Sequence, residues 1–281
     1  MVFLDGTYTL VTEFILLGFP THPELQIVLF LLFPTLYSMI LMGSIGLMML
    51  IRVDPHLQTD QWIKRIKNTP TYFFLSNLSF VDLCYSSVII PKILVNFLSQ
   101  NKSISYHSCA LQFYFFCTFA DTKSFILAAM AYDHYVAICN PLLYTAMMSQ
   151  GIYIWLIILS YFGGNTSSLV HTSFAFILKY CDKNVISHFF CDLPPLLKLL
   201  CTDTSLNEWL LCTYGSSVEI ICFIVIIISY FYILLSVLKI RSFSRRKKTF
   251  STRASHLTCG HLPGNSALHL LMTQLPVFSQ H

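Results

Sequence analysis

Several ionisable side chains stand inside or at the ends of long apolar runs: Asp82, Asp121, Lys123, Asp133, His134 and Glu219. A charge in hydrocarbon is costly unless it is paired or lines a polar cavity, so each marks a partner or a functional site. Asp82 lies about ten residues above the inner end of its run, and Lys123 lies ten residues above Asp133. At 1.5 Å rise per residue both sit roughly 15 Å deep, close enough in depth to form an ion pair. Asp121 is two residues from Lys123 and therefore faces another way, toward a polar pocket or the hydroxyls of the last apolar run. Glu219 lies about 20 residues above the inner end of that last run, which places it near the outer mouth. The stretch "MAYDHYVAICNPLLY", Met130 to Tyr144, ends an apolar run with Asp133, His134 and Tyr135 and follows them with Pro141. Alone, Asp133 reads as a carboxylate at the water boundary. No Ser/His/Asp or metal-ligating constellation shares one depth, so neither an enzyme nor a resident metal or cofactor is expected.

The elements that hold these residues are membrane helices. The chain of 281 residues is 55% hydrophobic and 11% charged, against about 25% charged in ordinary soluble domains. A net charge of +4 does not indicate a nucleic-acid partner. Five runs are long enough to cross a bilayer, at about 25–51, 72–98, 106–132, 152–171 and 206–238. They predict an all-α, multi-pass bundle over 25–238, preceded by an extracellular segment 1–24 and followed by a cytoplasmic basic segment and tail, 239–281. The start has no basic n-region, so the first run serves as the targeting signal. With the amino terminus outside, eleven basic residues fall inside (Arg52, Lys64, Arg65, Lys67, Lys239, Arg241, Arg245, Arg246, Lys247, Lys248, Arg253) and four outside (Lys102, Lys179, Lys183, Lys198). That bias sets the orientation and puts Asp133 and His134 toward the cytoplasm. A transporter is disfavoured, because no pseudo-repeat and no repeated charged lining are visible. Four cysteines, Cys109, Cys181, Cys191 and Cys201, face the oxidising side, and four allow three pairings. Zinc held by these thiols with His188 is a poor second.

Several long motifs in order carry a family resemblance: "EFILLGF" from Glu13, "PTYFFLSNLSFVDLCYSSVIIPKIL" from Pro70, "MAYDHYVAICNPLLY", the Ser229-Tyr230 pair and "KKTFSTRASHL" from Lys247. Over roughly Thr9 to Thr258 the chain resembles vertebrate olfactory receptors, which are rhodopsin-like, G-protein-coupled and seven-helical. The resemblance implies binding of small volatile organic ligands, signalling through a heterotrimeric G protein of the olfactory stimulatory type, and residence in the plasma membrane. It implies an odorant pocket on the faces of Phe113, Phe116, Cys117, Ala120 and Asp121 and of Ser216, Glu219, Ile220 and Phe223, although such stripes are more often plain helix packing. It implies disulfides Cys109–Cys191 and Cys181–Cys201. It makes Asp133-His134-Tyr135 the counterpart of the family's Asp-Arg-Tyr, with His in place of an always-charged Arg, which weakens coupling. Lys123 stands where relatives carry a carboxylate that helps bind sodium with the counterpart of Asp82, so an internal Asp82–Lys123 pair should replace the ion. Two departures stand out. Asp60–Thr69 lengthens an inner loop, and after Thr258 the family pattern stops before helices six and seven. On that reading only about five spans remain and the chain is a pseudogene-like truncation, deficient in signalling and open to retention in the endoplasmic reticulum. The alternative is a truncated protomer that associates with and retains intact receptors.

Overall fold

A backbone inside hydrocarbon must satisfy its own N–H and C=O groups, and an uninterrupted apolar run does so as an α-helix. The computed structural model describes residues 12–17, 23–53, 70–99, 102–177, 184–186, 188–192, 195–196, 199 and 205–238. It contains α1 (Pro23–Val53), α2 (Pro70–Leu98), α3 (Tyr106–Cys139), the short α4 (Tyr144–Met147), α5 (Gln150–Ile177) and α6 (Ser205–Leu238). Each expected apolar run lies within one of the long helices. The ends reach further than hydropathy suggests: α3 continues past Tyr132 to Cys139, and α5 past His171 to Ile177.

Three described segments are apolar enough by composition alone to cross a bilayer, Gln26–Ile51, Pro70–Leu98 and Ser217–Leu238, with mean hydropathies of 2.0, 1.7 and 2.9. α3 carries Asp121, Lys123 and Asp133, and α5 carries a polar middle from Gly163 to Ser168. α3 can carry those groups because it is covered on several sides, by α2, α5 and α6, whereas α1 leans on α2. The prolines inside α1 and α2 are tolerated as in other membrane helices. Around Pro34, hydroxyls turn back onto the helix: Thr35 Oγ1 donates to the carbonyl oxygens of Leu31 and Leu32, and Ser38 Oγ to that of Pro34.

Two apolar clusters lock the bundle. Leu29, Phe33 and Ile40 of α1 meet Tyr85, Ile89, Ile90 and Ile93 of α2, together with Phe189 and Phe190 of the loop before α6. Phe74, Leu78 and Val81 of α2 meet Ile126 and Met130 of α3 and Tyr153 and Ile157 of α5. α5 comes close to α3 at Gly164. A Cβ there would collide with Thr122 Oγ1 and lie 2.8 Å from the Thr118 carbonyl oxygen and 2.9 Å from the Thr122 backbone nitrogen.

A small sheet that sequence reading misses closes the end of the bundle at which α3 begins. β1 (Glu13–Leu16) is its central strand, antiparallel to β2 (Ser103–Ser105) and parallel to β3 (Val185–Ile186). Phe14 and Leu16 point inward onto Ile104, Ile186 and the Cys109–Cys191 disulfide, whose Cα atoms are 5.5 Å apart. Ser105 then caps α3, accepting from the Ser108 N–H at 3.3 Å. The expected Cys181–Cys201 pair, the insertion Asp60–Thr69 and the tail 239–281 lie outside the described residues.

Candidate functional site

The carboxyl-terminal end of α3 is the first polar centre. Asp133 is 1% exposed, so it is not the water-boundary carboxylate that its position at the end of an apolar run suggests. Helix α3 runs six residues beyond it, and two neighbours close over it. Thr71 Oγ1 of α2 donates to Oδ2 at 2.9 Å, and the Tyr144 hydroxyl of α4 donates to Oδ1 at 2.9 Å. The two hydroxyls satisfy acceptor positions on a buried carboxyl group. His134 is buried beside it, with Nδ1 3.9 Å from Asp133 Oδ2, longer than a hydrogen bond. Tyr135 is half-buried, its ring 5.8 Å from that of Tyr232 on α6.

The second centre lies in mid-bundle. Lys123 Nζ of α3 is 2.9 Å from Asp82 Oδ1 of α2, with side-chain exposures of 19% and 1%. The depth count from sequence puts these groups level, and the helix faces bring them together.

The third centre joins α3, α5 and α6. Asp121 is buried and faces Ser167 of α5, not the hydroxyls of the last helix that sequence reasoning offered as partners. The physical cause is angular: at 100° per residue, Asp121 points away from Lys123, and that side of α3 is covered by α5. Glu219 of α6 accepts from Ser124 Oγ, 2.9 Å from each carboxylate oxygen. It therefore sits against the middle of α3 and not near the outer mouth. The carboxyl-terminal ends of α3 and α6 are level, since Cys139 Sγ is 3.1 Å from Ser236 Oγ. Both helices are 34 residues long, or about 50 Å at 1.5 Å per residue. A depth counted from their inner ends thus overstates the distance travelled across the bilayer.

The remaining pocket candidates diverge. Phe113 turns to Phe176 of α5, ring centroids 6.1 Å apart. Phe116 turns to Tyr85 and Phe190, at 5.4 and 5.2 Å. Ala120 packs on the α1–α2 cluster, and Cys117 is a half-buried free thiol. Ile220 and Phe223 of α6 are 54% and 62% exposed. Ser216 lies in α6, its side chain outside the described set. A cavity of about 370 Å³ lies elsewhere, between α3, α5 and α6, walled by Phe125, Tyr132, Leu156, Gly163 and Val225 among others. None of the pocket candidates lines it.

Sequence reasoning passed over several residues that do structural or polar work. Gln112 of α3 donates to the Val88 carbonyl oxygen at 3.2 Å and accepts from the Cys191 N–H at 3.3 Å, tying α2, α3 and the disulfide together. Ser168 of α5 donates to the Tyr114 carbonyl oxygen. Thr71 and Tyr144 were visible within the quoted motifs, but only as part of the pattern. Nothing in their own spacing says that they converge on Asp133.

A family description, Olfactory receptor, matches residues 33–272. That match continues past Thr258, where the motifs alone give out. Olfactory receptor 5I1 of Homo sapiens is 80% identical over 258 residues, covering 92% of this chain and 79% of that protein. Olfactory receptor-like protein OLF1 of Canis lupus familiaris is 78% identical over 255 residues, covering 91% and 79%. Olfactory receptor 5D18 of Homo sapiens is 49% identical over 247 residues, covering 88% and 76%. With its helical bundle, its Cys109–Cys191 disulfide and a match over most of its length, the chain belongs to the olfactory receptor family.

Proposed function

We propose that this chain is an odorant receptor that takes small volatile organic ligands from the outer side of the plasma membrane and couples weakly to a heterotrimeric G protein, of the olfactory stimulatory type, on the inner side. The family is one of receptors that bind odorants and couple to G proteins, and it is not known for enzymes. The excess of basic residues on one side of the helices supports an outer amino terminus. The ligand would meet α3 and α6 near Asp121 and Glu219, the pocket candidates that lie along one face of α3.

The observation that carries the weak-coupling reading is the pairing of a fully enclosed Asp133 with His134. Thr71 and Tyr144 already donate to the carboxylate, and His134 stands beside it at 3.9 Å. A guanidinium there would be permanently charged and could swap its fork of hydrogen bonds from Asp133 to a G protein. An imidazole is mostly neutral near pH 7 and has at most two donors. Reporter cells expressing the chain test this with an odorant panel, surface labelling of the amino terminus and cAMP as readout. The expected result is surface labelling, a small ligand-evoked cAMP signal, and a larger one at equal surface density for His134→Arg. Labelled chain that gives no cAMP with either residue would overturn the reading. Retention of the chain in the endoplasmic reticulum would overturn the assignment to the plasma membrane.

A further inference from the structure

Asp121 and Glu219 bring two carboxylates to one face of α3 at mid-membrane. Asp121 and Ser124 are three residues apart and therefore neighbours on that helix. Ser124 holds Glu219 of α6 at 2.9 Å, and the two acids act on one another electrostatically. Asp121 is 6% exposed and its Oδ2 has no hydrogen-bond partner. The Ser167 hydroxyl of α5 faces the same carboxylate and is 5% exposed. Buried acceptors at this depth are costly when nothing donates to them. Lys123, the closest basic residue along α3, is turned to Asp82 at 2.9 Å. His171 stands four residues beyond Ser167, one turn further out on α5.

Resting on the odorant-receptor reading and narrowing its ligand class, we propose that Asp121, Glu219, Ser124 and Ser167 form a subsite for the ammonium group of a small aliphatic amine. An ammonium brings three donors and no acceptor, which complements two carboxylates and a hydroxyl. An alcohol brings one donor and no charge. A carboxylic acid would bring a third negative charge in its ionised form. The alkyl tail would run along the apolar surfaces of α3 and α6, where Phe223 is exposed.

The test uses the full chain in zwitterionic nanodiscs and saturation-transfer NMR with hexylamine and its neutral counterpart 1-hexanol, with empty discs as background. Hexylamine is expected to bind tighter than hexanol by on the order of ten-fold, and sodium chloride is not expected to displace it beyond the screening seen with choline chloride. Glu219→Gln and Asp121→Asn should each collapse the amine-to-alcohol affinity ratio about ten-fold. Glu219 is exposed, so its amide variant decides the matter even if the Asp121 variant does not fold. Equal binding of amine and alcohol, survival of the preference in both variants, or displacement specific to sodium overturns the subsite. If hexanol binds and hexylamine binds no better, the subsite fails while the odorant-receptor reading stands. If neither binds, both fail.

Discussion

Removing Lys123 should destabilise the bundle more than removing Asp82, and removing both should restore it. The pair is 2.9 Å apart, with Asp82 at 1% side-chain exposure and Lys123 at 19%. Lys123→Met leaves a carboxylate buried without its cation, and deleting one partner of a buried pair costs about 3–5 kcal/mol. Asp82→Leu leaves an ammonium on a long, partly exposed stem that can reach toward water, so its cost should fall to about 1–3 kcal/mol. The double variant exchanges the pair for apolar groups of similar size and should come within about 1 kcal/mol of the parent, or exceed it. Reversible unfolding in mixed micelles, followed by circular dichroism, gives all four corners of the cycle. A second readout is ionic: exchanging sodium for N-methylglucamine should not move the parent's midpoint, because the ammonium already occupies the carboxylate, but should lower that of Lys123→Met. If Lys123→Met costs under about 1 kcal/mol, or the double variant loses as much as the two singles together, the 2.9 Å contact carries no coupling and the reasoning fails.

Gly164→Ala should cost about 1–3 kcal/mol by forcing α5 off the α3 backbone, whereas Gly151→Ala, whose added carbon meets nothing within 4 Å, should stay within about 0.5 kcal/mol; unfolding midpoints of the two variants check this. Cys109→Ser should cost about 2–5 kcal/mol, read as a midpoint below the parent's under non-reducing conditions. Thr71→Val and Tyr144→Phe each remove a hydrogen bond to Asp133 and should cost about 1.5–3 kcal/mol apiece. On the receptor reading they should also raise ligand-independent cAMP, and unchanged basal cAMP with lowered stability would confine their role to structure.

What could be read from residue order was what depends on long, one-dimensional signals. Each long helix follows from an apolar run, because hydrocarbon leaves the backbone few other choices. The level meeting of Asp82 and Lys123 follows from a depth count, since rise per residue is fixed. What failed depended on angle or on partners far along the chain. Asp121 turned to α5, a matter of helix rotation that its weak periodicity does not reveal. Glu219 was placed too far out because α6, at 34 residues, is longer than a bilayer is thick, so residues counted from its end do not measure depth. Asp133 gave no sign of burial, since its cover comes from Thr71 and Tyr144 on other helices. The sheet was missed because strands of two to four residues carry almost no periodic signal, and their pairing is wholly non-local.

That sheet has a consequence for biosynthesis. Ile15 leaves the ribosome 170 residues before its partner Val185. β1 can pair with β2 once Ser103–Ser105 has been made, but it must wait for further helices to enter the membrane before β3 arrives and Phe14 and Leu16 find their seat beside the Cys109–Cys191 bridge. Changes in Glu13–Leu16 should therefore act as maturation defects, lengthening the time nascent chains spend with chaperones, more than as defects of the finished molecule.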